Sequence, residues 1–136
     1  MFQNLFQLPK LAKYAATSKK WLDLLEFDIR NILLENNSIS CTISFPEKLT
    51  GNDGIIHGGM TCFIIDSIAG IHAQMFFDKN GTALTKNLSV DFLQPIIPGE
   101  IYALTSRNES GNVIVEIGKE NKVCAKGVVS VVIKSK

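Results

Sequence analysis

Arginine, histidine and cysteine are scarce in this chain of 136 residues, and each shortage removes a class of function. Arg30 and Arg107 are the only arginines, and 14 basic residues face 13 acidic ones for a net charge of +1. Neither a concentrated basic face for nucleic acid nor an acidic interaction tail can be drawn from that balance. Cys41, Cys62 and Cys124 are odd in number and widely spaced. They make neither a disulfide framework nor a CxxC zinc pair, and are expected to be reduced, buried thiols of a cytoplasmic protein. His57 and His72 are the only histidines. Without HExxH or a histidine cluster, no metal site and no bound cofactor are expected.

Long hydrophobic runs are also missing. The most apolar stretch, Met60 to Phe77, carries Asp66 near its middle, so no membrane span is expected. The first residues show no signal-peptide core or small-residue cleavage site. Phe2, Leu5, Phe6, Leu8, Leu11 and Tyr14 instead recur at near-helical spacing among Lys10, Lys13, Lys19 and Lys20. This predicts a helical segment over residues 1–20 that caps the domain or a subunit contact. A transit-like or membrane-surface helix fits less well, because Pro9 interrupts the pattern and arginine is absent.

What is present is an ordinary globular composition, 46% hydrophobic and 20% charged, with no repeat or linker. It predicts one domain over residues 1–136. Phe27 to Glu35 and Ser38 to Phe45 are expected to form a β-hairpin. Ile39, Cys41, Ile43 and Phe45 alternate with polar residues, and Asn36-Asn37 suits the turn. Pro46 to Gly59 is a loop rich in turn formers. From Gly59 to about Phe77 the sequence is apolar on almost every side, which predicts a buried helix stopped by Asp78-Lys79-Asn80-Gly81.

Four strands follow: Thr82 to Leu93, Glu100 to Asn108, Val113 to Lys119 and Val123 to Ile133. Leu84, Leu88, Val90 and Phe92 are expected on one face of the first, and Gly127 at a bulge or bend in the last. Short turns favour antiparallel neighbours. One long helix and six strands point to an α+β architecture, a sheet curled around the helix. Val128 to Ile133 is apolar on both faces, so a second subunit is expected to cover its outer side.

Asp66 is the chemical anomaly of the helix. A carboxylate among apolar residues must be hydrogen-bonded or functional, as a general base or nucleophile. Gly58-Gly59 falls where the helix begins. Its free N–H groups and the positive end of the dipole could polarise a carbonyl and hold an oxyanion. The two features are eight residues apart, roughly 12 Å along the axis. One carbonyl cannot reach both within one helix, so a joint action on it requires two subunits.

Gly54-x-x-His57-Gly58-Gly59, then Asp66, then Thr85-x-x-Leu88-x-Val90-x-Phe92-Leu93-x-Pro95 and Pro98-Gly99 resemble the hotdog-fold acyl-CoA thioesterases of the phenylacetate-degradation type. The match spans about residues 20 to 134. The resemblance implies a long helix wrapped by an antiparallel sheet, and homodimers or homotetramers with active sites between subunits. It implies hydrolysis of an acyl-CoA thioester to a carboxylic acid and coenzyme A. Asp66 matches the catalytic carboxylate, and Gly58 the residue whose N–H polarises the carbonyl. His57 matches the motif histidine that supports the loop. Thr85 stands where a Ser or Thr often positions water, although strict alternation puts it opposite Leu84, Leu88 and Phe92.

Gly59 and Phe63 complete the expected substrate contacts. The family commonly has Asn six residues before the motif histidine. Here Gly51 holds that place and Asn52 comes one later, either as a shifted equivalent or as a turn residue. His72 is expected to be a packed core histidine. A non-catalytic acyl-CoA or acyl-carrier binding module, and a hotdog dehydratase or hydratase, are the rival functions on the same fold.

Overall fold

A computed structural model describes residues 20–77 and 81–135. Residues 20–24 are helical, and buried Leu22 anchors this turn to the core. Residues 1–19 of the helix expected over 1–20 lie outside the described residues. Six strands follow: β1 (Asp28–Glu35), β2 (Ser38–Phe45), β3 (Gly81–Phe92), β4 (Gly99–Arg107), β5 (Val113–Lys119) and β6 (Lys122–Ser135). One long helix, α1 (Gly58–Phe76), sits between β2 and β3 in the chain. The strands make one antiparallel sheet in the order β1-β2-β4-β5-β6-β3. The expected α+β arrangement, an antiparallel sheet around a long helix, is what the chain forms.

Local chemistry accounts for the connections. Asn36 and Asn37 take φ of 53° and 58°, as a two-residue hairpin turn of matching twist requires. Asn108 closes the β4–β5 loop: its N–H donates to Asn112 O, and its Oδ1 accepts from Asn112 N–H. Burial alternates cleanly along β4 and β5, so Ile101, Ala103, Val113, Val115 and Ile117 meet Ile64, Ile65, Ile68 and Ile71 of α1 in the core. Phe27 packs edge-on against Phe45, with ring centroids 5.3 Å apart.

Four details depart from the sequence-based expectation. First, α1 is not covered all round. Gly58 is exposed, and Cys62, Asp66 and Gly70 are half-buried. At four-residue spacing they form one slowly drifting stripe. Cys62 is therefore not a buried thiol, whereas Cys41 is, and burial pushes its pKa up to about 12.

Second, Gly81 does not cap α1. It opens β3, where a Cβ would stand 2.2 Å from Ile133 Cγ2. Third, Gly127 lies in regular pairing with Val90 and Val115. Glycine is needed there because a Cβ would stand 2.5 Å from Ile65 Cγ2 of the helix. The register shift of the β5–β6 ladder falls instead between Ile117 and Gly118.

Fourth, β3 carries a bulge between Thr85 and Asn87. Paired residues of an antiparallel ladder project to the same side. Thr85 pairs with core-packed Val131, while Leu88 and Phe92 pair with buried Val129 and Ala125. The extra residue, Lys86, thus lets Thr85 and Leu88, Val90 and Phe92 all face α1. Leu84 pairs with Val132 and faces outward; both are exposed, at 47% each. Single-period alternation had grouped Leu84 with the inner set and Thr85 against it.

Candidate active site

The start of α1 is fixed by its own residues. His57 is the N-cap, and its Nδ1 accepts the Gly59 N–H at 3.0 Å. A Cβ on Gly59 would come 3.1 Å from that same nitrogen, so any larger residue presses on the capping imidazole. Gly59 therefore serves the cap. The His57 carbonyl accepts the N–H groups of Met60 at 2.9 Å and Thr61 at 3.3 Å. Of the first four helical N–H groups, only that of Gly58 lacks an acceptor among the described residues. The His57 N–H donates to Leu49 O at 2.9 Å, tying the cap to the preceding loop.

Gly58 opens into a groove of about 370 Å³ lined by Ile55, Ile56, Gly58, Thr61, Phe92, Leu93, Gln94, Pro95 and Ile96. The Ile56 N–H donates to Ile96 O at 2.7 Å, and the Leu93 and Gln94 N–H groups both donate to Cys124 O. The first bond joins the loop before α1 to the segment after β3, and the other two tie that segment to β6. Phe92 lies over Gly58, its Cζ 3.5 Å from where a Cβ would stand. An alanine would fit there, so packing alone does not demand glycine at position 58.

Asp66 occupies the next part of the exposed stripe of α1. The Thr85 hydroxyl donates to its Oδ1 at 2.5 Å, so the structure joins these two predicted residues. This contact exists because the β3 bulge turns Thr85 inward. Neither Asp66 nor Thr85 lines the groove at Gly58. The structure thus places the predicted residues in two separate groups, Gly58 in the groove and Asp66 with Thr85 outside it.

Asn52 and Phe63 join neither group. Asn52 is exposed in the turn 51–54, where Gly51 N–H donates to Ile55 O and Gly54 takes φ of 77°. Phe63 stacks on Phe27 at a centroid distance of 5.6 Å and does not line the groove. His72 is fully buried, with Nδ1 2.7 Å from Thr105 Oγ1 and its ring against Phe76. Burial, aided by Arg107, holds its pKa down at about 4. Thr61 and the segment 92–96 were missed by the sequence argument. Thr61 reads there as one more helix residue, and the groove wall joins segments nearly forty residues apart. Among the described residues, no cluster of three metal-ligating side chains occurs and no helix is long and apolar enough to cross a membrane.

Two curated proteins of Saccharolobus solfataricus, each named as a candidate esterase, align with this chain. One is 30% identical over 92 residues, 66% of this chain and 65% of the relative. The other is 31% identical over 100 residues, 70% of this chain and 66% of the relative. The aligned part thus spans just under two thirds of either relative's length. Among solved structures, a Pseudomonas aeruginosa thioesterase superposes with a TM-score of 0.77 at 15% identity, covering 97% of this chain and 99% of its own. A Haemophilus influenzae thioesterase gives 0.74 at 18%, covering 92% and 88%. The PaaI protein of the Escherichia coli phenylacetic acid degradation operon gives 0.70 at 17%, covering 88% of each. At these identities the likeness is one of fold, the hotdog fold. The sequence model of the thioesterase superfamily matches residues 53–120, which are 68 of 136 residues and run from the loop before Gly58 through Asp66 and Thr85 to the end of β5. The chain belongs to the thioesterase superfamily.

Proposed function

We propose that this chain is an acyl-CoA thioesterase whose active sites are each completed by two copies, one hotdog domain per copy. The observation that carries the proposal is the single unspent N–H of α1, at Gly58 in an apolar groove, on the same helix as a carboxylate oriented by Thr85. In this reading the thioester oxygen accepts from Gly58 N–H at the positive end of the helix. Thr85 takes Oδ1 of Asp66, and Oδ2 is left to receive a proton from water. The hydroxide formed adds to the carbonyl carbon. The tetrahedral oxyanion rests on Gly58, then collapses to expel the coenzyme A thiolate, which recovers the proton. His57 holds the helix start in shape. Gly59 supports it, Phe63 bounds the core behind the site, and Asn52 keeps a turn rather than a catalytic place.

The separation of roughly 12 Å between Gly58 and Asp66 along α1 supports sharing between copies. So does the 12-residue edge strand β3, which among the described residues pairs on one side only and exposes Leu88 and Phe92. An open edge of that length calls for a partner strand. A homodimer joined there would also cover the stripe Gly58, Cys62, Asp66 and Gly70. Outer-face Leu84, Tyr102, Leu104 and Val132 offer a surface on which dimers can pair into a homotetramer. Three free cysteines accord with a cytoplasmic setting.

A thiol-release assay over short, long and aromatic acyl-CoAs tests the reading. Turnover of at least one class is expected. Tight binding of acyl-CoA without thiol release would replace the enzyme by a binding module, and hydration of an enoyl-CoA would point to a hydratase.

A further inference from the structure

Thr61 is the one polar side chain of α1's first turns to which the mechanism above gives no task. It follows Gly58 by three residues, is 1% exposed, and lines the groove. A hydroxyl inside a helix ordinarily bonds the carbonyl four residues back. Ser67 on the same helix does so, donating to Phe63 O at 2.9 Å. For Thr61 that acceptor is His57 O, which already receives two N–H groups. The Thr61 hydroxyl has no hydrogen-bond partner among the described residues. Because Thr61 lines the groove, its unpaired hydroxyl can meet a bound ligand there.

Helical side chains lean toward the N-terminus, so Thr61 covers the turn that begins at Gly58. The free N–H and the free hydroxyl of this helix therefore border the same part of the groove. Asn52, the shifted candidate for the family's Asn, stands outside that groove in an exposed turn. We infer that the Thr61 hydroxyl is a second hydrogen-bond donor to the thioester carbonyl oxygen, acting beside the Gly58 N–H. The inference rests on the thioesterase reading above. Thr61 keeps its proton throughout. As water adds, the carbonyl electron pair moves onto the oxygen that both donors hold, and it returns when the thiolate leaves.

The test compares Thr61→Val, which removes the hydroxyl at similar size, with Thr61→Ser, which keeps it. Unfolding curves first establish that both fold. The valine variant is expected to lose about 10²-fold in kcat with little change in KM, the usual scale for one oxyanion donor. Serine should restore most of that loss. An unchanged kcat in Thr61→Val, or a loss that serine does not restore, overturns the inference.

A binding comparison separates this inference from the activity itself. It uses an acyl-CoA ketone, which keeps the oxygen, and the matching thioether, which lacks it. The wild type should prefer the ketone and Thr61→Val should lose that preference. A preference indifferent to Thr61 overturns the inference while hydrolysis stands. A Thr61-dependent preference in a protein that hydrolyses no acyl-CoA leaves the carbonyl contact standing and removes the thioesterase reading.

Discussion

The first turn of α1 and the turn that carries Asp66 share one helix, yet they present opposite groups, an N–H donor and a carboxylate. At the first turn, His57 consumes three of the four helix-initiating N–H groups, one by its ring and two by its carbonyl. One donor remains, at Gly58. At Asp66, Thr85 occupies one carboxylate oxygen and leaves the other. Each region satisfies nearly all of its polar groups internally and exposes what is left to a surface. The donor half is built from backbone held by a cap, and the acceptor half from two side chains held by a bulge. On the proposed reading neither region is an active site alone, and His57 and Thr85 orient one group each.

The acceptor half should be the more sensitive to a single side chain. Asp66→Asn keeps the shape and removes the base, so kcat should fall by ~10²-fold or more in folded protein. Steady-state kinetics with a substrate found by the screen checks this; near-wild-type kcat would take Asp66 out of the mechanism. The orienting residues should cost less. His57→Ala removes a cap, with a loss of stability of about 1 kcal/mol and a smaller fall in kcat than Asp66→Asn. If His57→Ala proves more damaging than Asp66→Asn, the roles reverse and a dehydratase becomes the better reading. Thr85→Val frees Asp66 to rotate, and kcat should fall while KM changes little. A rise in KM with kcat intact would instead make Thr85 a substrate contact.

His72 belongs to neither half and should change stability with no effect on kcat. Its folded pKa, about 4, lies below the ordinary histidine value of 6.5. Above pH 6.5 both folded and unfolded forms are neutral and its contribution is complete. As pH falls from 6.5 to about 4, the unfolded chain takes up a proton that the folded one refuses. Stability should drop across that window by on the order of 3 kcal/mol. Urea midpoints at pH 7 and pH 4.5, for wild type and His72→Gln, check the sign. An equal drop in both proteins would clear His72 of the effect.

The sequence made the elements plain wherever local patterning decides them. The Asn36-Asn37 turn, the alternation of β2 and the spans of β4 and β5 were all legible, and the limits of α1 were legible to within one residue. The separation of Gly58 from Asp66 was legible too, because a helix converts spacing into distance. What stayed hidden depends on a second element. The bulge at Lys86 is decided by pairing with β6, and it moved Thr85 to the side of Asp66. Gly127 looked like a bend because the helix that presses on it cannot be seen in its own strand. The groove beside Gly58 joins Ile55 and Ile56 to Leu93 and Ile96, and no local pattern announces that contact. Thr61 was overlooked because its importance lies in a bond it does not make.

Complementation between two dead proteins tests the divided site most directly. Gly58→Pro removes the donor N–H, and proline suits the first helical position, where His57 before it is already extended at ψ 133°. Asp66→Asn removes the acceptor. Each variant alone should be nearly inactive. After subunit exchange of equal amounts, half the dimers are mixed, and each has one site with both defects and one with neither. Activity should therefore return to roughly a quarter of the wild-type level, by the symmetry of an isologous dimer. Exchange confirmed by mass, with no activity regained, would contradict a site shared between two copies.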